Sequence, residues 1–183
     1  VILLGASIGL NGCVATIEPP SPPIDPCNVY LLRSAYHVGI VLPDFEGGLV
    51  EYGYGEWNWY ALMHDSWYNV FSTLLWPTQG CLCRRKVGGR VSLERFPGGS
   101  LEPVVVSETR AKDLVDRLED RFQEKAATLI YNSAYGLEFV HASRGFWAFY
   151  NCHDAVADWF IDLECDVTWY PIRRDVIVAV REP

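Results

Sequence analysis

Apolar residues at Cys152, Ala155, Val156, Trp159, Phe160 and Leu163 follow the i, i+3, i+4, i+7 stripe of a helix with one face in a core. Asn151 precedes the stripe as an N-cap, and Asp154 falls in the first turn, where an acid is favoured. A second stripe, Ala111, Leu114, Val115, Leu118 and Phe122, begins after the N-cap Ser107 and the first-turn acid Glu108. Asp113 and Arg117 support it at i, i+4 spacing. Apolar runs bounded by turn residues predict strands over 28–33, 36–42 and 49–54, the last two a hairpin joined by the turn chemistry of residues 43–48. Further strands are predicted over 90–96, 103–106, 137–142, 145–150 and 175–180. Residues 57–76, dense in aromatics and leucine, read as a helix stopped by Pro77, and 80–89 as a loop. The elements interleave irregularly, with no repeat and no second domain boundary. This predicts an α+β fold rather than a doubly wound sheet.

The chain of 183 residues has room for one ordinary domain, expected over 28–183. Its net charge of -8 leaves no basic stripe to neutralise phosphates, which excludes a nucleic-acid partner; Arg84, Arg85 and Lys86 read as a solvated turn. Residues 1–13 are an uncharged apolar run ending in Asn11, Gly12 and Cys13. The run is too short to span a bilayer and is similar to the end of a bacterial lipoprotein signal, with Cys13 as the lipidated residue. Against it stand the lack of a preceding Lys or Arg and the presence of Asn11; the alternative is an N-terminal strand or frayed tail. The proline-rich segment within 14–27 fits an extended spacer between anchor and domain. An oxidising compartment would permit disulfides among Cys27, Cys81, Cys83 and Cys165, in any of three pairings. Cys81 and Cys83 have no second pair at zinc-like spacing, so no metal and no cofactor are implied.

Cys152 opens its helix at the positive end of the dipole, where a thiolate is stabilised, which is the setting of a nucleophile. A cysteine on an apolar stripe is also commonly plain core. A nucleophile needs a base, and usually a third group to orient it. Of the histidines, His153 is expected to face solvent, because successive helical side chains diverge, and His141 has no partner implied by pattern. His37 ranks first: it lies on a strand and is followed by Gly39, whose missing side chain permits close approach. Glu51 or Glu56 on the returning strand could orient it.

The order of His37-Val38-Gly39, a turn, Leu49-Val50-Glu51-Tyr52 and then a late Asn151-Cys152 resembles a circularly permuted NlpC-type papain-like domain. The segment Tyr52-Gly53-Tyr54-Gly55 adds a narrower likeness to an uncharacterised family of bacterial membrane-associated proteins. The resemblance implies an antiparallel sheet packed on helices, with Cys152 as nucleophile, His37 as general base and Glu51 as third residue. Gly39 and Tyr54 are the candidate substrate contacts. Glu51 departs from the His, Asn or Gln common at its position, and His153 from the usual Asn. The implied chemistry is acyl transfer at an amide or ester carbonyl through an acyl-enzyme, on the periplasmic side of a bacterial cell envelope. Peptidoglycan peptide is the first expected substrate. The alternatives are an envelope binding or structural module that keeps the fold without turnover, and a membrane-interacting protein led by the aromatic segment.

Overall fold

The computed structural model describes residues 13–34, 37–64, 73, 76–88, 99–168 and 173–179. The described strands are β1 (Cys13–Glu18), β2 (Pro26–Ser34), β3 (Val38–Pro43), β4 (Gly48–Glu56), β5 (Gly80–Gly88), β6 (Gly99–Ser107), β7 (Ile130–Asn132), β8 (Leu137–His141), β9 (Asp166–Val167) and β10 (Arg173–Val178). Two α-helices accompany them, α1 (Glu108–Glu124) and α2 (Cys152–Asp162). The fold is α+β. A seven-stranded antiparallel sheet runs β6-β2-β3-β4-β5-β8-β7, and a small sheet runs β10-β1-β9, with β1 parallel to β10.

Strand alternation sorts the large sheet into two faces. Val38, Ile40, Leu42, Val50, Tyr52, Tyr54, Leu82 and Val140 point towards the helices. They pack there with Leu114, Leu118 and Phe122 of α1 and Val156, Trp159 and Phe160 of α2. β1 and β10 join the same core through Ala15, Ile17 and Val176. On the opposite face Cys81, Cys83, Leu137 and Phe139 pack with Ala61, Trp57 and Tyr60. The β3–β4 hairpin is closed by Asp44, whose Oδ1 accepts from the backbone N–H of Glu46 (3.0 Å) and Gly48 (2.6 Å). Gly47 takes the left-handed φ of 99° that this turn requires.

Several expected elements differ. Residues 80–88 are not a loop but β5, a central strand between β4 and β8. Arg84 and Arg85 are therefore not a solvated turn: Arg84 pairs with Glu119 and Glu138, and Arg85 with Glu51. The strand expected over 145–150 is instead a turn with isolated bridges, Thr78 to Phe146 and Trp147 to Tyr150, and no strand among the described residues continues the ladder. Of the segment expected as a spacer over 14–27, residues 14–18 lie in β1 and 26–27 in β2. Of the helix expected over 57–76, Trp57–Ala61 is a π-helical turn; residues 65–72 and 74–75, and the strand expected over 90–96, lie outside the described residues. Cys27, Cys81, Cys83 and Cys165 are free thiols. Among the described residues no helix is long and apolar enough to cross a membrane, and no cluster of His, Cys, Asp and Glu could hold a metal ion.

Candidate active site

Asn151 ends an extended approach (φ -131°, ψ -167°) and caps α2. Its side chain accepts from the N–H of His153 (2.9 Å) and of Asp154, while the Asp154 carboxylate accepts from the Asn151 N–H (3.0 Å). This reciprocal capping box satisfies amides that the first helical turn would leave orphaned. Cys152 is thereby held as the first helical residue, buried at 8% exposure, with the backbone amides of Val38, His153 and Cys152 itself near its sulfur. Burial pushes the Cys152 thiol up, and those amides oppose the shift.

His37 precedes β3. Its imidazole rests against backbone from which side chains are missing: a Cβ placed on Gly53 would fall 2.6 Å from His37 Nε2 and 2.7 Å from Cys83 Sγ, and one on Gly39 would fall 3.8 Å from the same Nε2. The Tyr60 ring covers the imidazole at 4.7 Å between centroids, and a Cβ on Gly55 would strike Tyr60 at 2.5 Å. Gly39, Gly53 and Gly55 thus form a floor for two rings. His37 Nε2 is buried and has no hydrogen-bond partner among the described residues. Burial, reinforced by the neighbouring His153, pushes its pKa down to about 4.

Cys152 and His37 line one cavity of about 380 Å³, shared with Glu51, Tyr54, Tyr60 and Arg85. Cys152 enters from the helix-covered face, and His37 lies over the glycine floor on the other. Glu51, 3% exposed, lines the same cavity, with one oxygen taken by Arg85 Nε (2.9 Å) and Nη2. Burial pushes the Glu51 pKa up, and the guanidinium draws it back. Glu56, the other candidate, is a cap: its carboxylate accepts from the Trp59 N–H at 2.6 Å and from the Asn58 side chain at 3.3 Å. Gly39 lies in the floor and Tyr54 in the cavity wall, its hydroxyl donating to the Arg144 carbonyl at 2.9 Å. His141 stacks edge-on against Trp57 at 4.2 Å. The Cys13 backbone pairs with Arg173 in the small sheet.

His153 does not face solvent as expected. Its Nδ1 lies 3.7 Å from Cys152 Sγ and 3.1 Å from Asn151 Oδ1, because a side chain in the first turn can fold back onto its own cap. Burial lowers its pKa, against the pull of Asp175 and Asp154. Sequence reasoning also missed Arg85 and Tyr60. The glycine floor had a signal in the alternating Gly53 and Gly55, since glycine in a strand interior marks close approach on one face. Comparison with protein-family models, with curated proteins and with solved structures returns no match for this chain.

Proposed function

We propose that the protein is a cysteine-dependent acyl-transfer enzyme, a hydrolase or acyltransferase acting on an amide or ester carbonyl, with Cys152 as nucleophile and His37 as general base. The reading rests chiefly on the Cys152 sulfur, which opens a capped helix and lines one cavity with His37, an imidazole whose Nε2 has no hydrogen-bond partner among the described residues. Both groups are neutral in the resting cavity, since burial raises the thiol and lowers the imidazole. Transfer of the thiol proton to His37 would create an ion pair whose mutual attraction offsets part of the desolvation that keeps both groups neutral. The thiolate then attacks the carbonyl carbon, the leaving group departs with the proton, and water or another acceptor releases the acyl group. The Cys152 backbone N–H, which the Asn151 cap does not take, suits the developing oxyanion.

Glu51, clamped by Arg85, would fix the charge balance of the cavity without touching His37. The permuted papain-like architecture, an envelope location with a lipid at Cys13, and peptidoglycan peptide as substrate belong to the same proposal. A binding module without turnover is favoured by one observation: His37 Nε2 turns towards Gly53 and Cys83 and makes no hydrogen bond among the described residues. Hydrolysis of a panel of chromogenic esters and short peptide amides decides between them. The enzyme reading expects turnover that is lost in Cys152→Ala and falls about 100-fold or more in His37→Ala. Turnover absent across the panel supports the binding module, and turnover insensitive to Cys152→Ala overturns Cys152 as the nucleophile.

A further inference from the structure

The helix cap decides which nitrogen of His153 carries a proton. Asn151 Oδ1 accepts from the backbone N–H of His153 at 2.9 Å, so the cap fixes that atom as the oxygen of the amide. His153 Nδ1 lies 3.1 Å from this same oxygen. A bare Nδ1 lone pair facing a carbonyl oxygen would be repelled, so the hydrogen resides on Nδ1, the nitrogen that faces both Asn151 Oδ1 and the Cys152 sulfur. The same nitrogen is 3.7 Å from Cys152 Sγ, within reach of a shared hydrogen bond. With its Nδ1 protonated, His153 cannot take the thiol proton at the position that faces the sulfur; it can only donate there.

We propose that His153, held in its Nδ1–H form by the Asn151 cap, is a second catalytic imidazole that donates a hydrogen bond to the Cys152 thiolate, while His37 serves as the proton acceptor. This inference rests on the reading of Cys152 as nucleophile. It divides two jobs between two histidines. One removes the proton from the helix-start sulfur, and the other supports the charge left behind. Charge-assisted donors to a buried anion are the stronger class of hydrogen bond, and this one is pre-positioned by a capping residue rather than by substrate. Asn151 is then a positioning residue as well as a helix cap. The titratable and charged groups around His153 are Asp154 on its own helix, Asp175 of β10, Arg33 of β2 and the nearby His37. Arg33 Nη2 is already paired with Asp175 at 2.7 Å.

Two measurements on the full chain test this. Nitrogen-15 NMR of wild-type protein above pH 7 distinguishes the two imidazole tautomers; His153 is expected with its proton on Nδ1, and the Nε2–H form overturns the proposal. The second is the pH profile of Cys152 alkylation by iodoacetamide, read by peptide mass in a Cys27→Ser background so that this half-buried thiol does not compete. His153→Ala is expected to move the profile up by about one pH unit and slow alkylation about tenfold at neutral pH. His153→Asn, whose amide nitrogen replaces Nδ1, is expected to restore most of the rate. An unmoved profile in a folded His153→Ala protein overturns the donor role. Acylation of Cys152 by a phenyl ester is followed in parallel. Its absence in wild type sinks the enzyme reading and leaves the tautomer result standing, so the two failures are separable.

Discussion

The glycine floor makes a quantitative prediction at Gly53. A methyl group there would lie 2.6 Å from His37 Nε2, 2.7 Å from Cys83 Sγ and 3.1 Å from His37 Cε1. Gly53 pairs with Gly39 on one side and Cys83 on the other, so the strand cannot retreat without breaking two ladders. Forcing a methyl into a packed interior costs roughly 1–3 kcal/mol, whereas replacing glycine stiffens the unfolded chain and returns about 0.4–1 kcal/mol. Gly53→Ala should therefore be destabilised by about 1–2 kcal/mol, which for a domain of this size lowers the melting temperature by roughly 2–8 °C. The imidazole must also leave its seat, so ester turnover should fall by about tenfold or more. Urea titration and thermal melts measure the first effect, and steady-state kinetics the second. In a His37→Ala, Cys83→Ala background both obstructing groups are gone, and the same substitution should cost less than about 0.5 kcal/mol. Gly88, with nothing within 4 Å of its virtual Cβ, is the control, and Gly88→Ala should be neutral or slightly stabilising. A Gly53→Ala protein as stable and active as wild type, or a cost that persists in the relieved background, refutes the placement of His37.

His37 also predicts a pH dependence. The unfolded chain protonates it near the ordinary value of 6.5, the folded chain only at about 4, so the folded state binds fewer protons between those values. Its contribution is complete above pH 6.5 and falls by about 3 kcal/mol as the pH drops to 4; urea titrations of His37→Leu should lose that part of the wild-type slope. Arg85→Met strands the buried Glu51 carboxylate and should cost about 2–4 kcal/mol at pH 7.5. Because Glu51 then titrates higher in the folded than in the unfolded chain, that variant should be less destabilised at pH 5, and an equal loss at both pH values would contradict the ion pair. Asn151→Ala removes the cap of α2 and should cost about 1 kcal/mol by urea titration, with loss of the Nδ1–H signature of His153.

The local signals in the sequence read well where one segment carries its own explanation. The stripe from Cys152 to Leu163, the Asn151 cap with Asp154, and the Ser107 cap of α1 all depend on neighbours within a few residues. The hairpin of β3 and β4 is of the same kind. β5 was illegible because Arg84 and Arg85 look solvated until Glu119, Glu138 and Glu51 are brought to them by other elements. Partners so distant leave no periodic trace. β1 was hidden similarly: its pairing partner β10 is at the far end of the chain. His153 was misplaced because the usual divergence of helical neighbours does not govern a first-turn side chain folded back on its cap. Glu51 and Glu56 are equivalent in sequence and both line the cavity; their partners separate them, Arg85 holding one while the other caps the π-helical turn.

Chemical capture of the intermediate tests the enzyme proposal most directly. Wild-type protein mixed with an activated acyl ester and quenched in acid should carry one acyl group as a thioester on the peptide containing Cys152. The label should vanish in Cys152→Ala and form far more slowly in His37→Ala. Acyl groups found only on Cys27, or on no cysteine while the ester is consumed, would contradict a nucleophile at the start of α2.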